Sequence, residues 1–538
     1  MTNHAISLNT ARLKFADGAS CKRWIASLPL TNLQAAQHTL AEQLALIGHS
    51  DIAAGERLRI LEALREPVRY VQSELAFKYT AKSLPLEGAE AAQWTRTLGL
   101  WQELTDAYLA CRDALVRGDA ALRNHGALIV MRCLDYSARA MFEHYRIYHE
   151  VPAGRWKSLH QLYVFAEQSG FAHTPVADAF NRRETDSSCC AAYAQALLAE
   201  LANPFALTGR QMDFVSRWIE NWVPQVSLSR QRLAPSAIPA LCIDLAGSAG
   251  PAFADECEPV ATLRYIDLEQ IGITLRQTIT LLKQGRIPAS LNLGNDARQP
   301  GCENLLMLLY IQWCRAGTGR GEQRRSVAEK AQVCLGMHAA HFFIGERRFR
   351  APGAKLTQME EHDVELFGRV SERTDRALAS AQSMAVESWE LVNQSSAGFM
   401  CMLRDHAAQL RIGHNQVVAV RRGPQKSFHV GLVQWLRIEE NSGMYVGVRL
   451  FPGVARALQV RPTNFHAPSG VDGFERALLL PETTLPASQA TLILPTGWYQ
   501  AGRFVDLYDE QQQRRQVAKL LNVVERGSDF DRCTVVLI

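Results

Sequence analysis

The spacing of apolar residues changes once along this chain of 538 residues, and that change limits what the chain can fold into. From about Asn32 to Val223 apolar residues recur three and four apart, in segments such as ERLRILEALREPVRYVQSELAFKY and LIVMRCLDYSARAMFEHYRIYHEV. That interval lines one face of a helix. From about residue 365 onward they come instead in short runs, among them GFMCML, QVVAVRR, HVGLVQWLRI, MYVGVRLF, ATLILPT and TVVLI, separated by Gly, Pro, Asn and Asp. Such runs are antiparallel strands and turns. The expectation is a multidomain protein: an all-α domain over residues 1–228, an α+β middle region over 229–360, an antiparallel β-barrel over 361–475 and a small extra β module over 476–538.

Within the first region Leu58, Ile60, Leu61, Leu64, Val68, Val71 and Leu75 form one stripe, and Pro67 is expected to bend or interrupt its helix. Ser50-Asp51 and Glu184-Thr185-Asp186 are candidate helix starts, and Gly118-Asp119 and Gly170 punctuate between helices, about seven in all. In EHYRIYHE, His144 and Tyr148 share one helix face and Tyr145 and His149 another. Histidines five apart do not converge on one zinc ion and no H-E-x-x-H is present, so these residues are read as packing. Helical arrays often present partner surfaces, and an unidentified protein partner is expected on this one.

The proline-rich stretch Leu228–Ala240 reads as a linker, and CIDLAGSAG after it as a strand and plain turn, since it has neither G-x-G-x-x-G nor a Walker lysine. The middle region offers strands at ATLRYID and AQVCLGM, helices at ITLRQTITLLKQG and residues 303–314, and a Gly-rich basic loop over 316–325. His338 and His341 lack a third ligand nearby, so no metal site is expected.

Composition narrows the function. With 47% hydrophobic and 21% charged residues the chain has the make-up of an ordinary globular protein. A net charge of +4 does not suit a nucleic-acid coat or polybasic membrane binder, so any anion site must be local. The twelve cysteines are scattered without C-x-x-C and read as buried reduced thiols. The first residues, MTNHAISLNTARLKF, lack the apolar core of a signal peptide, and the longest apolar run, Leu305–Trp313, reaches about half a membrane span. A cytoplasmic protein without a transmembrane segment is expected. No G-x-S-x-G, catalytic Cys/His arrangement or paired-carboxylate motif supports an enzyme.

One constellation carries chemistry. Arg369-Val-Ser-Glu-Arg373 puts two guanidinium groups at i and i+4, and about twenty residues on comes Asn393-Gln-Ser395-Ser-Ala-Gly398. Arginine can fork two donors onto guanine O6 and N7, stack on a base or pair with phosphate. The Asn amide and Ser hydroxyl supply donors and acceptors, and the Gly admits a group that a Cβ would block. The bland alternative is a solvated helix in which Glu365 pairs with Arg369 and Glu372 with Arg376, each pair contributing about 0.3–0.5 kcal/mol, followed by an ordinary hairpin turn. Arg320-Gly-Glu-Gln-Arg324 has the same arginine spacing but no Asn-Ser-Gly partner after it.

These residues resemble the PilZ domain family, whose signatures are R-x-x-x-R leading into the barrel and [DN]-x-S-x-x-G in the strands that follow. The run HVGLVQWLRIEENSGMYVGVRLF is similar to the family's closing hairpin, and the resemblance covers about residues 365–460. It implies a six-stranded barrel that binds cyclic di-GMP through Arg369, Arg373, Asn393, Ser395 and Gly398. Gly368 stands where the family often has a further basic residue, with Arg376 as a substitute. On this reading the chain is a bacterial signalling regulator, not an enzyme, with no cofactor beyond that ligand, coupling it to the helical platform. The alternative is an interaction scaffold whose barrel has lost the ligand.

Overall fold

The computed structural model describes residues 12–538 except 179, 181–185, 233–237, 316–324, 351–355, 368–369, 372, 375–384, 405–409, 424–426, 441–442, 464–472 and 485–486. The chain divides into two compact units, Met1–Lys82 with Leu86–Thr318, and Ser83–Pro85 with Gly319–Ile538.

The first unit begins with α1 (Gly18–Ile25), α2 (Leu33–Gly48), α3 (Ala54–Ala76), α4 (Gly88–Val116), α5 (Gly126–Tyr145), α6 (Ala153–Gln168), α7 (Cys189–Leu201) and α8 (Gly209–Trp222). Helix α5 is buried on nearly every face and packs against α4, α6 and α7, so its charged residues Arg132, Asp135 and Glu143 are buried with its apolar ones. Gly118 and Gly170 follow helix ends at φ +89° and +74°, so they punctuate as expected.

Two local expectations need correction. Helix α3 is not interrupted at Pro67, which is buried on the apolar stripe; packing outweighs the one helical hydrogen bond that proline removes. Ser50-Asp51 caps nothing, because Ser50 Oγ turns back to the Ile47 carbonyl and α3 starts after Ala53. Of the other candidate start, Glu184 and Thr185 lie outside the described residues; Ser188 caps α7 by accepting from the Ala191 N–H at 3.1 Å.

The core of this unit also holds charges. Arg132, 1% exposed, and Arg65, 6% exposed, share Glu62 and Asp178. Burial alone would raise the Glu62 carboxyl, but the Arg132 hydrogen bond and the two guanidinium charges hold it below its ordinary range. The histidine and tyrosine cluster packs in the same interior. Tyr145 bonds Glu200, Tyr148 donates to the Leu207 carbonyl at 2.9 Å, and the His149 ring stacks on Trp94.

His144 is buried edge-on to Trp94, and neither ring nitrogen has a hydrogen-bond partner among the described residues. Burial, aided by the charges of Arg155 and His149, lowers its pKa to about 3. A His whose folded pKa lies below the unfolded 6.5 stabilises the fold above pH 6.5, and that stability drains away as pH falls toward the folded value. Going from pH 7 to pH 5 is therefore expected to cost the helical unit roughly 2 kcal/mol at this residue. Urea melts of His144→Phe, followed by helical circular dichroism at both pH values, should show a correspondingly smaller acid loss.

Strands β1 (Ser227–Ser229), β2 (Leu241–Asp244), β3 (Ala252–Phe253) and β4 (Leu263–Asp267) form an antiparallel sheet in the order β1-β4-β2-β3, followed by α9 (Glu269–Lys283) and α10 (Gly301–Cys314). Pairing of Ser227–Ser229 with Tyr265–Asp267 spans the stretch expected to be a linker. Arg264 of β4 grips Glu167 of α6 with contacts at 2.9 and 2.6 Å. These pairings make the sheet part of the helical unit; a linker would lack them. The GSAG segment is the expected turn, with the Gly247 N–H on the Asp244 carbonyl.

The second unit holds two closed barrels. The first is built from β5 (Arg325–Leu335) and, after α11 (Gly336–Gly345) and α12 (Gln358–Phe367), β6 (Glu387–Gln394), β7 (Gly398–Leu403), β8 (Val417–Arg422), β9 (His429–Glu439) and β10 (Gly443–Leu450). Its order is β10-β7-β6-β5-β8-β9. The second comprises β11 (Arg456–Pro462), β12 (Glu475–Leu480), β15 (Thr491–Pro495), β16 (Phe504–Asp509), β17 (Arg514–Arg526) and β18 (Phe530–Leu537), with the small hairpin β13 (Thr483–Thr484) and β14 (Ala487–Ser488) beside it.

Both barrels thus begin earlier than the apolar pattern suggests, at 325 instead of 361 and at 456 instead of 476. Six of the first seven residues of β5 are partly or fully exposed, so only AQVCL carries a strand pattern. In β11 the flanking arginines hide the buried Leu458, Gln459 and Val460.

Helix α11 lies between the barrels. Met337, Ala339 and Ala340 join one apolar cluster with Val417, Ala419 and Phe428 of the first and Leu478, Leu480, Ile493 and Phe530 of the second. His341 donates from Nε2 to the Leu458 carbonyl at 2.9 Å, so this histidine is a structural link.

Candidate ligand-binding site on the first barrel

The Asn-Ser-Gly motif forms the β6–β7 hairpin. The Ser395 N–H donates to the Gly398 carbonyl at 2.8 Å, and the Ala397 carbonyl accepts from the Leu450 N–H at 2.9 Å. Asn393 lies opposite Ser326 of β5 and Met400 of β7, and the register slips beside it on both sides, between Leu391 and Asn393 and between Ser326 and Glu329. Such bulges re-aim side chains at barrel rims. The Ser395 hydroxyl reaches the Gly398 carbonyl at only 3.4 Å, a weak bond that a ligand could replace.

Gly398 is dictated by space. It pairs with Arg449 of β10, and a Cβ there would fall far inside contact with the Val448 carbonyl oxygen and 3.2 Å from Arg449 Cα. The closing hairpin follows the same logic, because the Trp435 ring covers Gly447 where a side chain would stand.

Arg373 is exposed in the segment that leads into this hairpin. Ser371 Oγ accepts from the Thr374 N–H at 3.2 Å, and the Ser371 N–H donates to Asp363 of α12 at 2.8 Å, which anchors the turn. Arg369 and Arg376 lie outside the described residues, as do Arg320 and Arg324. The structure therefore brings Asn393, Ser395 and Gly398 together on one hairpin, while Arg373 is held in the turn beside α12 that precedes it in the chain.

Three arginines that no motif marks stand around the hairpin. Arg422 donates to the Gln394 amide oxygen at 2.8 Å, Arg325 is the exposed register partner of Gln394, and Arg449 is that of Gly398. Only strand pairing reveals them. Arg449 also pairs with Glu525 of the second barrel, and Glu525 lies 3.6 Å from Arg532; both guanidinium groups cover the Phe451 ring, at 5.4 and 4.5 Å.

The helical unit has cavities of about 330 and 260 Å³ that share Arg69, Arg139 and Glu220 in their walls. There Arg139 is met by Asp135 at 3.1 Å and by Glu220 at 3.5 Å. The positive charge is answered from within, which leaves little for an anionic ligand. Among the described residues no group of three or more His, Cys, Asp or Glu is placed to hold a metal ion, and no helix is long and apolar enough to cross a membrane.

Two family models match the chain. Residues 19–234 match the N-terminal domain of the cyclic-di-GMP receptor FimW, and residues 464–538 match the FimW C-terminal β-barrel domain. The cyclic-di-GMP receptor FimW of Pseudomonas aeruginosa strain PAO1 is 24% identical in an alignment covering 94% of this chain and 88% of that protein. No solved structure matches. The two matched ranges lie on either side of the first barrel and its hairpin.

Proposed function

We propose that this protein is a cyclic di-GMP-binding regulatory protein and not an enzyme, and that it takes the dinucleotide on its first, PilZ-like barrel. Arg373, with Arg369 and Arg376 of the same segment, meets one guanine and the phosphates; Asn393, Ser395 and Gly398 meet the other side of the ligand. The observation that carries this reading is the β6–β7 hairpin, where Asn393 and Ser395 flank a bulged rim and Gly398 leaves no side chain between the rim and β10. Similarity to a cyclic-di-GMP receptor along nearly the whole chain supports the ligand class. The reading extends to a cytoplasmic protein whose helical unit engages a protein partner.

Titration calorimetry with cyclic di-GMP, against GTP and cyclic di-AMP as controls, tests it. Binding of cyclic di-GMP alone is expected; no heat with any of the three would favour the scaffold reading, in which the barrel binds only protein. Arg373→Lys keeps the charge but loses the planar fork and is expected to weaken binding at least tenfold, about 1.4 kcal/mol or more. Ser395→Ala should cost about 0.5–1.5 kcal/mol, one hydrogen bond. Alanine at Arg320 and Arg324 should leave affinity unchanged; the reverse pattern would move the site elsewhere. Hydrogen exchange with saturating ligand should slow over residues 356–385.

A further inference from the structure

Cys242 in β2 and Cys257, just past β3, hold their sulfurs 2.9 Å apart. That is well inside the ~4 Å at which side-chain atoms ordinarily touch. Backbone pairing sets up the approach: Leu241 and Cys242 pair with Phe253 and Ala252, and the Ala254 N–H donates to the Ala240 carbonyl at 2.8 Å. Cys242 is buried, whereas Cys257 is half-buried; the ten other cysteines are all buried. The pair thus combines one thiol within reach of solvent with a second directly behind it.

We infer that Cys242 and Cys257 form a reversible dithiol–disulfide site whose oxidant is a hydroperoxide. The Cys257 sulfur, as thiolate, attacks the terminal peroxide oxygen. The O–O bond breaks, a Cys257 sulfenic acid forms, and the other oxygen leaves and takes up a proton as water or an alcohol. The Cys242 sulfur then attacks the Cys257 sulfur, the S–S bond forms, the S–O bond breaks, and water departs with the Cys242 proton. Two thiols lose two electrons and the peroxide gains them. Two thiols in succession reduce the bond again by exchange, the first forming a mixed disulfide and the second releasing it, and they leave as their own disulfide.

The order of the two sulfurs follows from their surroundings. Burial and the neighbouring Cys257 push the Cys242 thiol up to about 12, which makes it a poor first nucleophile. Its closeness to Cys257 suits it to the second step, where a held neighbour reacts far faster than a free thiol. The bond would tie β2 to the segment after β3 within the sheet that Arg264 fastens to α6.

The test uses the full chain, reduced, exposed to hydrogen peroxide, then alkylated and mapped by peptide mass. The expected result is a Cys242–Cys257 linked peptide, two hydrogens lighter than its parts and cleaved by dithiothreitol, with the other ten cysteines still alkylatable after unfolding. In Cys242→Ser, Cys257 should stop at a sulfenic acid that dimedone traps; in Cys257→Ser, Cys242 should stay a thiol. Cys257 passing to sulfinic acid in the wild type without any linked peptide, a linkage only between other cysteines, or both thiols surviving peroxide unchanged would each overturn the assignment.

Discussion

Gly398→Val is expected to abolish cyclic di-GMP binding and to lower the melting temperature of the barrel unit by roughly 6–12 °C. The atoms in the way of the new Cβ are backbone: the Val448 carbonyl and Arg449 Cα. A side chain could rotate aside, but a carbonyl in the β7–β10 ladder moves only with its strand. Overpacking typically costs about 1–3 kcal/mol, and this substitution belongs at the upper end. For a unit of this size each kcal/mol shifts melting by about 2–4 °C, which gives the range stated. Because Arg449 and the Ala397–Leu450 bond sit at the same point, the hairpin that presents Asn393 and Ser395 would be displaced as well. Gly398→Ala carries the same Cβ and should share most of both losses. Differential scanning calorimetry and ligand titration on the same samples check the two effects; normal melting with normal binding would mean the ladder has slack.

The second large effect is expected at Asp529. Its carboxylate accepts from the Met337 N–H at 3.1 Å, at the start of α11, and from the Val417 N–H at 3.0 Å, at the start of β8. Asp529→Ala would strand two buried backbone donors at about 1–3 kcal/mol each, loosening the helix between the barrels. Burial pushes this carboxyl up to about 6 against the pull of those hydrogen bonds. A carboxyl whose folded pKa exceeds its unfolded value stabilises when protonated, and that stability is lost as pH rises through about 6. Between pH 7 and pH 5 the wild-type unit should therefore gain on the order of 1 kcal/mol here, a gain missing from Asp529→Asn. His341, held neutral by burial with its pKa near 4, loses a comparable amount over the same interval. His338 and His429, whose pKa values burial also lowers, add to the loss in acid. Denaturant melts at both pH values should find Asp529→Asn losing more stability than wild type on going to pH 5, by the gain that only Asp529 supplies.

How far the sequence could be read follows from which residues report on their own neighbours. The change of apolar period separates helical from strand-rich regions because each helix or strand shows its buried face locally. The Asn393, Ser395 and Gly398 hairpin is legible for the same reason, since its turn is made within six residues. Arg325, Arg422 and Arg449 are brought to the hairpin by ladders between distant strands, and nothing beside them in the sequence records that pairing. Pro67 misleads in the opposite direction: its local preference is plain, and the surrounding core overrides it. The early starts of the barrels escape notice because β5 and β11 are polar at the ends where a boundary would be sought.

The position of β5 has a consequence during synthesis. Arg325–Leu335 leaves the ribosome before either strand that will flank it, since Val333 pairs with Glu387 on one side and Val420 on the other. Until β6 has emerged that strand has two open edges, and until residue 422 has emerged it keeps one; pairing across so long a stretch of chain is slow. Nascent chains halted between α11 and β8 should therefore be the ones that need a chaperone, and fragments begun at residue 361 would lack a stave the barrel cannot close without.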